Sequence, residues 1–268
     1  MKKTTIYYFL TICLLVSCNK KSDEEIIPDA STIDVEEKNT AIFNKLTATW
    51  CSACGSWGWM LNEELTGLIG DKAIPISTFA SYRSLFYNQL AADFAQSFEQ
   101  FNGWPAFYIN GQNKTAYVTG GVSYQGTRAS CVSAAEAFVD SQVIVNTGFL
   151  SAYKNNTLNI VSKTQFFSDA AVGEYYVGAY VLEHEVSGEQ NGKPDLVLHP
   201  HVLRASAHTS SFGERITVEP TTGNTFLHTF SLQPDSSWDR NKLEVITIIW
   251  KKNGNKYAFV NASRESSK

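Results

Sequence analysis

Trp50-Cys51-Ser52-Ala53-Cys54-Gly55 is a Cys-x-x-Cys set between a strand-like run, Ala41 to Trp50, and a helix-like one, Ser52 to Ile69. Two cysteines three apart at the first turn of a helix place the first sulfur beside unpaired backbone N–H groups, where the partial positive charge of the helix end favours thiolate over thiol. This lowers the pKa of such a cysteine from about 8.5 into a range of roughly 3.5 to 7.5. Cys51 is then the expected nucleophile and Cys54 the thiol that resolves a mixed disulfide. Two other readings compete. A structural zinc site needs four ligands, and no second Cys-x-x-Cys follows at finger spacing. An inert structural disulfide is the stronger rival, because the chain carries an export signal.

The flanking pattern alternates. Trp57, Leu61, Leu65 and Leu68 recur near helical spacing, Ala73 to Phe79 returns as a strand, and Leu90 to Phe101 is helix-like. Gly103-Trp104-Pro105 breaks the chain before Ala106-Phe107-Tyr108-Ile109, Asn110-Gly111 is a hairpin signal leading into Thr115 to Thr119, and a last helix is predicted over Thr127 to Gln142. Cys131 falls on the apolar side of that helix and reads as a buried, inert thiol.

The N-terminus reads as a leader. Met1-Lys2-Lys3 precedes an apolar run, Ile6 to Val16, too short for the roughly 20 residues of a membrane span. Leu15-Val16-Ser17-Cys18 resembles a bacterial lipobox, which makes residues 1–17 a lipoprotein signal peptide and Cys18 the lipidated first residue of the mature chain. The charged stretch 18–39 (Lys20-Lys21, Asp23-Glu24-Glu25, Glu36-Glu37-Lys38) is expected to be a flexible tether.

The chain has 268 residues, 43% of them apolar, and a formal net charge of −4 with no basic cluster, which argues against nucleic acid as a partner. From about residue 143 the texture changes to short strands separated by turns, among them Val197 to Ala207, Thr225 to Leu232, Leu243 to Lys251 and Tyr257 to Val260. Some seven strands suggest an antiparallel β-sandwich over 143–268. Within Leu198-His199-Pro200-His201-Val202-Leu203-Arg204-Ala205, alternation puts His199 and His201 on one side of a strand. No third ligand is evident, so no metal site and no cofactor are assigned.

Strand, Cys-x-x-Cys helix, strand, helix, Pro-led hairpin and closing helix, in that order over 40–142, resemble the thioredoxin fold. Gly103-Trp104-Pro105 stands where that family carries its cis-proline loop. With the lipobox, the His-x-His-Val-Leu-Arg-Ala stretch and Phe212-Gly213-Glu214, the chain is similar to the thioredoxin-like, outer-membrane-protein-related lipoproteins of Bacteroidetes. The resemblance implies an α/β plus all-β chain, a thioredoxin-like domain followed by an immunoglobulin-like antiparallel β-sandwich, on the outer membrane or exposed at the cell surface. It also implies a redox-active Cys51 and Cys54, with Trp50, Trp104 and Pro105 forming a platform for substrate backbone. Partners would be exported protein thiols or disulfides, a redox partner and the membrane through its lipid. Lys45 stands where thioredoxin carries a buried acid: either its ammonium favours thiolate nearby, or it snorkels to the surface and matters little. The function expected is thiol–disulfide exchange on exported proteins; the alternative is a non-catalytic binding or adhesion lipoprotein whose Cys51–Cys54 disulfide is structural.

Overall fold

The computed structural model describes residues 29–265, so the signal peptide, Cys18 and the first part of the tether lie outside the described residues. The first half runs β1 (Ala41–Leu46), α1 (Ser52–Gly55), α2 (Trp57–Ile69), β2 (Ala73–Thr78), α3 (Gln89–Ser97), β3 (Ala106–Ile109), β4 (Gln112–Asn113), the small hairpin β5 (Tyr117–Val118) and β6 (Gly121–Val122), and α4 (Tyr124–Val139). The second is strands throughout: β7 (Val145–Lys154), β8 (Thr157–Phe166), β9 (Tyr175–Glu183), β10 (Val186–Gly188), β11 (Val197–His199), β12 (Val202–Ser206), β13 (Glu214–Arg215), β14 (Thr225–Leu232), β15 (Leu243–Asn253) and β16 (Lys256–Arg264).

Strands β1 and β2 are parallel and buried on both faces, as near-continuous apolar runs require. Alternate side chains divide between two cores: Ala41 and Phe43 pack under α2 and α4 with Phe107 and Ile109, whereas Ile42, Leu46, Ile74 and Ile76 pack against α3 on the other face. Strand β3 joins β1 antiparallel, and Asn110 and Gly111, at φ 54° and 77°, make the turn into β4. Helix α2 turns Leu61, Leu65 and Ile69 inward; Leu68, expected on that face, is 42% exposed.

The second half does not stand apart. Among the described residues one nine-stranded sheet runs β16-β15-β9-β12-β2-β1-β3-β4, with β13 on β9, so strands from both halves share it. The seam is the parallel pairing of β12 with β2 at Val202 and Ser77. Ser77 N–H donates to His201 O at 2.8 Å across this seam. Pro75, two residues earlier on the same edge of β2, has no N–H to give, so the pairing extends no further that way. The α3-facing core crosses the seam too, joining Ile42 and Ile74 to Tyr180, Leu182, Ile246 and Trp250. Strands β7, β8 and β14 form a separate antiparallel sheet whose inner face, Phe149, Ile160, Phe166 and Phe230, packs on Val177, Val181 and Ile249 of the large sheet.

Two expectations need correction. The stretch read as tether up to residue 39 is packed from Ile33 onward: Ile33 and Val35 are 2% and 7% exposed, Ile33 against Leu150 and Val161, and Asn261 and Asn146 side chains donate to the Lys38 and Glu36 carbonyls. Ile33, hidden among charges, covers a face of β7 and β8 that would otherwise be open. The single strand Val197 to Ala207 is two, because Pro200 ends β11 and His201, at φ 50°, redirects the chain into β12. His199 and His201 therefore do not share a face: β11 pairs with β10, β12 with β9 and β2.

Candidate functional site

Cys51 and Cys54 are joined by a disulfide, with Cα atoms 5.2 Å apart. Cys51 is the residue before α1, in extended backbone, and its sulfur accepts from Cys54 N–H at 3.1 Å. The two sulfurs differ in access: Cys51 is 6% exposed and Cys54 is fully buried. The helix predicted from Ser52 to Ile69 breaks at Ser56, whose backbone (φ −95°, ψ −105°) separates α1 from α2. The Gly55-Ser56 pair is the sequence feature at that break.

Trp104 packs against this turn, and the peptide bond between it and Pro105 is cis. Ala48 and the two cysteines form a small apolar cluster against which Trp50, Ala53 and Trp104 pack. Trp50 and Trp104 meet edge to face with ring centres 6.2 Å apart, and Phe101 meets Trp104 at 4.9 Å. The close approach of α2 depends on Gly58, where a Cβ would stand 2.4 Å from Pro105 Cγ. Trp50 is held by Nε1 donating to Ser81 Oγ at 3.0 Å, and the Arg83 guanidinium lies 5.3 Å from its ring centre. Tyr82 and Leu85, in the same 81–85 loop, are 81% and 63% exposed.

The turn is braced by a strap that the sequence gives little sign of. The connection between β10 and β11 lies across it: Gln190, buried, donates its amide to the carbonyls of Ala48, Thr49 and Cys51 at 3.2, 3.3 and 3.0 Å. Asn191 donates N–H to Thr49 O at 2.7 Å and its side-chain amide to Trp50 O at 2.9 Å. Contact is close enough that a Cβ on Gly55 would stand 2.1 Å from Asn191 O, and one on Gly192 2.5 Å from Ser52 O. The only sequence signal is glycine at 55 and 192, unremarkable by itself. A cleft of about 930 Å³ lies beside the strap, lined by Trp50, Leu85, Gly188, Lys193 and Leu196 among others.

Lys45 lies under the dithiol. It is 5% exposed, so the surface-snorkelling reading is overturned: β1 is buried on both sides and offers no route to water. Its Nζ is 3.5 Å from Cys54 O and 5.1 Å from the Trp59 ring centre. Burial pushes it down to about 7, Glu63 opposing and Lys193 adding to the fall. His199 sits close by in a cage of Trp59, Phe79 and Phe86, ring centres 4.9 to 5.5 Å away. Burial and then Lys45 push it down to about 4, so the imidazole is neutral. Cys131, in α4, is wholly buried, and burial pushes its thiol up to about 12.

No family model matches the chain, and no curated protein matches it. Among solved structures it is similar to HBP35 of Porphyromonas gingivalis, at 17% identity and a TM-score of 0.69 over 87% of this chain and 76% of that one. A domain of the outer membrane lipoprotein Omp28 from Porphyromonas gingivalis aligns with 46% of this chain and 88% of its own length, at 13% identity and a TM-score of 0.31, too slight a likeness to bear on the fold. The likeness to HBP35 establishes a mixed α/β architecture dominated by sheet.

Proposed function

We propose that this protein is a thiol–disulfide exchange enzyme of the cell envelope, built from a thioredoxin-like half and an immunoglobulin-like sandwich, with Cys51 as the exchanging sulfur. The observation that carries this reading is the asymmetry of the pair: Cys51 keeps a small exposure, 6%, among Trp50, Ala53 and Trp104, whereas Cys54 is fully buried. A structural disulfide has no need of an aromatic platform over its more exposed cysteine.

In the oxidised protein a substrate thiolate attacks Cys51 Sγ, the Cys51–Cys54 bond breaks and Cys54 leaves as a thiolate. A second substrate thiolate then attacks the sulfur bound to Cys51, forming the substrate disulfide and releasing Cys51, so two electrons pass to the protein. Run backwards, the same steps reduce a substrate disulfide. The expensive species is the Cys54 thiolate, formed in an apolar site without water. Lys45 is the cation beneath it, and an ammonium there offsets the charge. The backbone beside Trp104 would pair with an extended substrate segment. Lipidation at Cys18 would tether this chemistry to the outer membrane, where disulfides persist. Among the described residues no helix is long and apolar enough to cross a membrane.

Mixed-disulfide trapping tests the proposal. Cys54→Ser expressed in the native envelope should accumulate adducts with exported proteins, and Cys51→Ser should accumulate almost none. Intact mass of the membrane-extracted chain reads the lipid on Cys18 in the same preparation. Equal trapping by both variants, or by neither, would move the assignment to the non-catalytic binding lipoprotein.

A further inference from the structure

The split of the predicted Val197 to Ala207 strand sends His201 to a second polar cluster, at the seam of the large sheet. His184 follows the last residue of β9, His201 sits in the turn before β12, and Glu244 is the second residue of β15. One nitrogen of each imidazole and one Glu244 oxygen all lie within 4.8 Å of one another. Glu244 Oε2 is 2.9 Å from His184 Nε2 and 4.0 Å from His201 Nδ1. The imidazole rings stand edge to face with centres 4.5 Å apart.

The atoms are close but poorly used. His201 Nδ1 is buried without a hydrogen bond, and the buried Glu244 Oε2 has only the 2.9 Å contact with His184 Nε2 beside it. Buried lone pairs without a donor are costly. His201 also occupies the left-handed region at φ 50°, uncommon for a residue with a Cβ. The other oxygen of Glu244 is held by Arg264 Nε at 2.7 Å, which fixes the carboxylate plane and keeps Oε2 towards the two imidazoles.

We propose that His184, His201 and Glu244 form a binding site for a divalent transition-metal ion of the zinc class, with a water in the fourth position. Two imidazoles and a carboxylate are a borderline-soft, three-ligand set suited to such an ion and poor for calcium or magnesium. Ligand atoms about 2.0–2.2 Å from a tetrahedral ion lie about 3.3–3.6 Å apart, so His201 Nδ1, 4.0 Å from Glu244 Oε2, moves in while the 2.9 Å His184–Glu244 pair opens slightly. His184, with a third of its side chain exposed, has the freedom to make that move. This site lies apart from the dithiol: His199, not His201, faces Lys45 and Trp59. Its consequence is mechanical. His201 O accepts from Ser77 N–H of β2, so an ion on His201 ties β9 and β15 to the turn that carries the seam between the halves.

Isothermal titration of the mature, oxidised protein with zinc chloride tests the proposal, the closed Cys51–Cys54 disulfide removing the dithiol as a competing ligand. One equivalent should bind with micromolar or tighter affinity, accompanied by a rise in melting temperature. His184→Gln and Glu244→Gln should each weaken binding at least tenfold, whereas His228→Gln, on the separate sheet, should leave it unchanged. His184 is half-buried and more exposed than Glu244, so its variant keeps the test valid if Glu244→Gln fails to fold. Absence of zinc binding by the wild type, or binding that His184→Gln leaves intact, would overturn the site.

Discussion

Lys45 carries the sharpest conflict between stability and chemistry in this molecule. A lysine inside an apolar layer folds at a cost, because water no longer solvates its ammonium. The sign with pH follows from its fall from 10.5 to about 7. Below about pH 7 both folded and unfolded chains hold the proton, so the full cost of the buried charge is present. Between there and 10.5 the unfolded chain binds more protons, and stability therefore rises with pH until the cost is gone. Lys45→Met fills nearly the same volume without the charge. It should stabilise the protein at neutral pH by about 1–4 kcal/mol, with the advantage shrinking towards pH 10. If the ammonium offsets the Cys54 thiolate, the same variant should exchange disulfides about tenfold more slowly, equivalent to about 1.4 kcal/mol of barrier. Denaturant melts across pH and an exchange assay on the same samples read both. A variant less stable than wild type, or equally fast, would remove Lys45 from the mechanism.

At the scale of elements, the dithiol turn is held by a strap from the other half of the chain, and the strap depends on absent side chains. Gly55→Ala adds a methyl where Asn191 O already stands, so either the strap lifts or α1 shifts. Overpacking of this kind costs about 1–3 kcal/mol. Gly67→Ala in α2 meets nothing within 4 Å and should instead stabilise by about 0.5–1 kcal/mol. Thermal melts of the two variants should therefore move in opposite directions; a neutral Gly55→Ala would mean that the strap does not bear on the turn. The strap marks where the sequence stopped being legible. The cysteine pair, the Gly103-Trp104-Pro105 break, the strand and helix order and most second-half strands follow from local spacing and turn residues. Gln190, Asn191 and Lys45 do not, because a polar residue's place in the fold shows only through partners up to 142 positions away. The same limit hid Ile33 and Val35 within a charged stretch, and made one strand of the two that Pro200 divides.

For the molecule as a whole the question is whether its halves unfold together. Residue texture changes sharply near residue 143, yet the α3-facing core draws on both sides of that point and the large sheet crosses it. Tyr180, on β9, is fully buried there; its hydroxyl accepts from Trp250 Nε1 at 2.7 Å and donates to Ser211 O at 3.0 Å. Tyr180→Phe strands both partners in the second half, a loss of about 1–3 kcal/mol. Cys131 reports on the first half from the opposite layer, packed with Phe43, Leu61 and Phe107. Because burial pushes its thiol up to about 12, it reacts with an alkylating reagent only when that layer opens. If one cooperative unit includes both halves, Tyr180→Phe should speed Cys131 labelling by the factor its lost stability dictates, about tenfold for each 1.4 kcal/mol. Labelling that stays at the wild-type rate while the second half melts earlier would mean that the seam at Ser77 and Val202 joins two units that open independently.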